Sequence, residues 1–203
     1  MKVGIVDVGV SNINSIAKAV AHLGYDVISI KNVQLTTDSY DRLIFPGVGN
    51  FCHVMRHLQK EGLDFFIRDY CEQGGSFLGI CLGLQMLFTK SFEGGEVAGL
   101  DVVAGDVVRF ASQPGLKVPH MGWNQLRIRR RSPLLADIPD GAFVYFVHSY
   151  YVVPRDKGVT ATETDYPTPF TSSIWRDNIF ATQFHPEKSQ QVGLQLLRNF
   201  ATL

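Results

Sequence analysis

The chain has 203 residues, 45% hydrophobic and 19% charged, an ordinary composition for one globular α/β domain over 1–203 and one without a disorder signature. Nineteen lysines and arginines balance 19 aspartates and glutamates, so overall charge supports neither a nucleic-acid nor a membrane-surface role. The three cysteines, Cys52, Cys71 and Cys81, are too few and too irregularly spaced for a disulfide framework or a zinc cluster, and they fit a reducing, cytoplasmic setting.

Lys2–Val8 reads as the first strand, with no basic n-region and no signal-length apolar run ahead of it. Beyond Asn12, the residues Ile13, Ile16, Ala17, Val20 and Leu23 recur at helical spacing, and Gly24 closes the pattern. Val27–Ile30 and Arg42–Phe45 read as strands, the latter stopped by Pro46-Gly47-Val48-Gly49. Helical patterns follow over Phe51–Lys60 and Leu63–Gln73, then a strand at Phe77–Ile80. This alternation predicts a three-layer α/β sandwich with a mostly parallel central sheet, whose ligands bind beyond the carboxyl ends of the strands.

From Val97 the texture becomes β-rich: Val102–Phe110, Gln125–Ile128, Phe143–Val147, Val159–Thr164, Ser172–Trp175 and Ile179–Phe184 read as strands. A helix over Val192–Phe200 ends the chain. No Gly/Ser or Pro-rich linker, internal repeat or low-complexity run divides it.

The most chemically informative segment is Gly79-Ile80-Cys81-Leu82-Gly83, between a strand and a helical pattern. Two glycines flanking the cysteine permit a sharp elbow that presents the thiol, and a helix N-terminus beside it favours thiolate over thiol. The bland alternative is a small buried residue in a tight turn. A thiol nucleophile needs a base and something to orient that base. Gln183-Phe184-His185-Pro186-Glu187 offers both: Pro186 keeps His185 extended, so His185 and Glu187, two apart, face one side. The alternative there is a solvated loop with Glu187 capping the last helix. An oxyanion site requires N–H donors, which the Val48-Gly49 peptides and the N–H of Leu82 can supply.

In this order, the Pro-Gly-Val-Gly, Gly-Ile-Cys-Leu-Gly-Leu-Gln and Gln-Phe-His-Pro-Glu segments resemble the class I, triad-type glutamine amidotransferases. Val118-Pro119-His120-Met121-Gly122-Trp123-Asn124 and Tyr145–Val152 are similar to the glutaminase subunits of imidazole glycerol phosphate synthases, a resemblance spanning essentially the whole chain. It implies hydrolysis of glutamine by Cys81, His185 and Glu187, with Val48, Gly49 and Leu82 serving the oxyanion. Gln85 and the main chain at His148, Ser149 and Tyr150 would hold the substrate. Neither a cofactor nor a metal is implied. The implied partner is a (β/α)₈ cyclase subunit, HisF or HisF-like, that receives the ammonia, with Asn12, Met121, Trp123 and Asn124 at the interface.

The chain departs from the family's usual Asp-Tyr-Gly-x-Gly-Asn opening, reading Asp7-Val8-Gly9-Val10-Ser11-Asn12, and this leaves a second acceptor open: a sugar amidinated in surface-polysaccharide synthesis. Three weaker features have plain readings. His53 and His57, four apart on a helix, are expected on a solvated face; Arg127, Arg129 and Arg131 on an exposed strand; Cys52 and Cys71 in packing.

Overall fold

A computed structural model describes residues 1–9, 13–33 and 40–203. Strands β1 (Lys2–Val6), β2 (Asp26–Ile30), β3 (Arg42–Gly47), β4 (Phe77–Cys81) and β14 (Ile179–Thr182) lie in the order β2-β1-β3-β4-β14, each parallel to its neighbour. Their residues alternate between two cores. Leu43, Phe45 and Phe77 face one, whereas Ile44, Leu78 and Ile80 face the other. The first is covered by α2 (Phe51–Glu61) and α3 (Leu63–Glu72), the second by α1 (Ile13–His22) and α5 (Gln190–Thr202). Each large apolar side chain enclosed this way contributes roughly 1.5–3 kcal/mol.

Beyond β14 the sheet turns antiparallel through β13 (Pro169–Arg176), β11 (Tyr150–Pro154) and β7 (Val103–Arg109). It then continues to β5 (Phe88–Ser91), parallel to β7, and β6 (Val97–Ala98). Strand β12 (Thr160–Asp165) pairs with β13 and with the short β9 (Arg127–Ile128). Twelve strands form this mixed sheet among the described residues. A separate antiparallel pair, β8 (His120–Gln125) with β10 (Phe143–His148), packs Val144 and Phe146 into the second core.

Several boundaries differ from the sequence reading. The expected strand Gln125–Ile128 is two strands, since β8 begins at His120 and Leu126 turns inward, fully buried, before β9. The helix after Cys81, α4 (Leu82–Met86), has only five residues before the chain re-extends as β5. Gly62, left-handed at φ 71, ends α2 and starts α3 with no residue between.

Arg127, Arg129 and Arg131 are engaged rather than free. Arg127 pairs with Asp165, Arg129 Nε with Glu163 Oε2 at 2.8 Å, and Arg131 donates to the Ile138 carbonyl at 3.0 Å. Cys71 is buried, and half-buried Cys52 accepts a hydrogen bond from Arg56. His53 is exposed and His57 half-buried on α2, and no metal-holding cluster occurs among the described residues. No helix among them is long and apolar enough to cross a membrane. Asn12 and Ser11 lie outside the described residues; Val8 is buried in the first core.

Candidate active site

The parallel register brings the three motifs together. Gly47 of β3 is opposite Cys81 at the end of β4, which sets the Val48-Gly49 loop beside the thiol. On the other flank Thr182 of β14 is opposite Ile80, so the chain reaches His185 three residues beyond the same edge.

Cys81 adopts φ 55, ψ −104, a region a non-glycine residue occupies at a cost of order 1–3 kcal/mol. The glycines beside it make the elbow possible. A Cβ on Gly83 would lie 1.9 Å from the Phe45 carbonyl oxygen, and one on Gly79 2.7 Å from the Gly83 carbonyl oxygen. The surrounding pocket is lined by Val48, Gly49, Leu82, Gln85, His148, Ser149 and Tyr150, all expected from sequence, and by Glu93, which was not. Helix α4 is too short for a large macrodipole, so its field at the sulfur comes from the unpaired N–H groups of its first turn.

His185 and Glu187 meet as their spacing predicted, with Nδ1 2.8 Å from Oε1 and both side chains almost wholly buried. Their backbone is pinned to β10: His185 N donates to the Tyr145 carbonyl at 2.9 Å, and Ser189 Oγ donates to the His185 carbonyl at 2.7 Å. Burial pulls the imidazole toward neutrality. The charge of Cys81, a hydrogen bond with it, and Glu187 outweigh that pull, so the net shift is well upward. Nε2 is buried and close enough to couple to the sulfur, yet no protein group completes a hydrogen bond of full geometry with it. It is therefore available to a group bound against Cys81.

Gln85 holds its Nε2 against the Tyr150 carbonyl at 3.0 Å and Gln183 Oε1 at 3.1 Å. With both amide hydrogens used, Gln85 offers the pocket its carbonyl oxygen. Gln183, fully buried, donates to Cys81 Sγ at 3.6 Å. The expected motif included Gln183 without assigning it a role. Glu93 Oε2 accepts from Phe51 N at 2.9 Å at the start of α2. In sequence it is only an acid before two glycines, and no local signal points it at Cys81.

Met121, Trp123 and Asn124 lie on β8, away from Cys81. Met121 and Trp123 share its outer face, 62% and 46% exposed, with 53% exposed Phe143 on β10. Asn124 is on the inner face, with His120.

The family model Glutamine amidotransferase class-I matches residues 4–202. A curated relative from Aquifex aeolicus, named imidazole glycerol phosphate synthase subunit HisH, is 46% identical over 200 residues, covering 98% of this chain and 96% of its own. The protein of the same name from Moorella thermoacetica is 48% identical over 206 residues, covering 99% and 94%. The solved structure of a putative GMP synthase protein from Thermoplasma acidophilum superposes with a TM-score of 0.74 at 20% identity, covering 100% of this chain and 92% of its own, a likeness of fold.

Proposed function

Because the chain belongs to the class-I glutamine amidotransferase family, we propose that it is the glutaminase subunit of an imidazole glycerol phosphate synthase and that it passes ammonia to a (β/α)₈ cyclase partner, HisF. The names of relatives 46% and 48% identical over nearly full length support the finer reading. The family match over 4–202 supports one amidotransferase domain, and a biosynthetic enzyme of this kind fits the cytoplasm.

The observation that carries the chemistry is the buried His185–Glu187 pair with its open Nε2 beside a thiol on a strained elbow. The Cys81 sulfur attacks the side-chain amide carbon of glutamine, and the carbonyl electron pair moves onto oxygen. Val48, Gly49 and Leu82 N–H groups receive that oxyanion. His185 gives its proton to the departing nitrogen as the C–N bond breaks, leaving a γ-glutamyl thioester and ammonia. Water then gives a proton to His185 and its oxygen to the acyl carbon, the C–S bond breaks, and glutamate leaves. Glu187 keeps the ring oriented and offsets the imidazolium charge. Gln85 and the main chain at His148, Ser149 and Tyr150 hold the substrate, and the Glu93 carboxylate receives its α-ammonium group.

Met121, Trp123 and Asn124 form the partner side, together with Asn12. Glutamate release measured with and without the cyclase partner tests the reading. A rise of at least tenfold when the partner and its nucleotide ligand are added is expected, whereas a rate indifferent to the partner contradicts it. Stimulation by a sugar-modifying barrel instead would assign the ammonia to the alternative acceptor.

A further inference from the structure

His120 and His148 are opposite one another in the β8–β10 register, on the face turned toward the second core. The placement brings His120 Nδ1 to 3.0 Å from His148 Nε2, with both rings buried. One of these nitrogens must donate and the other accept.

The direction is fixed from both ends. At the site end, His148 Nδ1 is 2.8 Å from the Tyr150 carbonyl oxygen, which only accepts, so Nδ1 carries the proton and Nε2 accepts from His120. At the far end, Asn124 Oδ1 accepts from Gln125 N at 2.8 Å, and Asn124 Nδ2 donates to the Asp165 carbonyl at 2.9 Å. That orientation puts Nδ2 3.3 Å from His120 Nε2, so Nε2 accepts and Nδ1 again carries the proton. Both ends, through different carbonyls, thus require the same tautomers.

The Tyr150 carbonyl also accepts from Gln85, Gln85 donates to Gln183, and Gln183 donates to the Cys81 sulfur. We propose that Asn124, His120 and His148 form a one-directional hydrogen-bond chain that positions the Tyr150 carbonyl and Gln85 for glutamine, and that His120 is a positioning residue for substrate binding. The proposal rests on the glutaminase reading for its substrate.

The surroundings hold the chain in place. Tyr166 and Phe146 stack on His120, with centroids at 3.9 and 4.8 Å, and Phe110 and Phe170 flank His148 at 5.2 and 5.1 Å. If His120 lost its donor, His148 Nε2 would take the proton and Nδ1 would face the Tyr150 oxygen as a second acceptor. The carbonyl would then shift, and Gln85 with it.

Two measurements on the full chain test this. Long-range ¹⁵N–¹H spectra at neutral pH are expected to show both His120 and His148 protonated at Nδ1; a His148 protonated at Nε2, or exchanging between forms, overturns the chain. Glutamate release with the cyclase partner is expected to show KM for glutamine rising about tenfold in His120→Leu, with kcat within about threefold, and His120→Asn recovering most of the loss through its amide N–H. Equal losses in the two variants, or an effect on kcat alone, overturn the proposal. If His120→Leu fails to fold, the wild-type spectra and the His120→Asn KM decide. A wild type releasing no glutamate defeats the functional reading alone, because the tautomers are read without turnover.

Discussion

Glu187 Oε1 lies 2.8 Å from His185 Nδ1, and the two side chains are 3% and 2% exposed. A buried carboxylate in that position does more than orient the ring, because its charge helps hold the proton that the leaving nitrogen must receive. Glu187→Gln preserves shape and an acceptor oxygen while removing the charge. Its kcat for glutamate release is expected to fall about 10²-fold or more, with KM for glutamine changed less than threefold.

The elbow makes a steric prediction. With the Phe45 carbonyl oxygen 1.9 Å from where a Cβ on Gly83 would lie, Gly83→Ala must move either β3 or the start of α4. A loss of about 3 kcal/mol or more in urea unfolding is expected, with abolished glutamine turnover. A variant as stable as the parent would mean that the turn yields easily.

These two features are legible in the sequence, and others are not, for a physical reason. The elbow, the base pair and the first four strands are local patterns, punctuated by glycine and proline and carried by neighbours in the chain. Strand β5 is hidden because Leu84–Phe88 is a nearly unbroken apolar run, in which helical and extended periods cannot be separated. The His120–His148 contact needs the β8–β10 register, and in sequence that strand reads as starting at Gln125, five residues late. Glu93 reaches the pocket through a turn that only the packing of β5 and β6 against the sheet brings near Cys81.

The buried histidine pair predicts acid sensitivity. Burial pushes His120 down to about 4. It pushes His148 down to about 3, where the charges of His120 and His185 add to the lowering and the Tyr150 hydrogen bond opposes it. Both bind protons more readily unfolded, near the ordinary imidazole value of about 6.5, so stability falls as pH drops from about 6.5 toward 4. Comparing pH 7.5 with pH 5, the urea midpoint of the wild type is expected to drop more than that of His120→Asn/His148→Asn, by an amount worth about 1–2 kcal/mol. Identical drops would show that these rings do not set the acid limb. His185 works in the opposite sense: its raised value contributes stability that is present below about 6.5 and lost as pH rises through the folded value.

Met121, Trp123 and Phe143 form an exposed apolar patch on the outer face of β8 and β10. As the partner side, it should carry an aromatic anchor. Trp123→Ala is expected to weaken cyclase binding by about 2 kcal/mol, roughly 30-fold by calorimetry, with an unchanged melting temperature. Unaltered affinity would put the docking surface elsewhere.

In the proposed reaction Cys81 is the nucleophile, and the ammonia it releases feeds a second subunit. The direct measurement is product formation by the Cys81→Ala protein assembled with its cyclase partner, supplied with either glutamine or ammonium. Glutamine-dependent synthesis is expected to vanish while ammonium-dependent synthesis stays within about twofold of wild type. A variant that still uses glutamine near the wild-type rate would contradict the account.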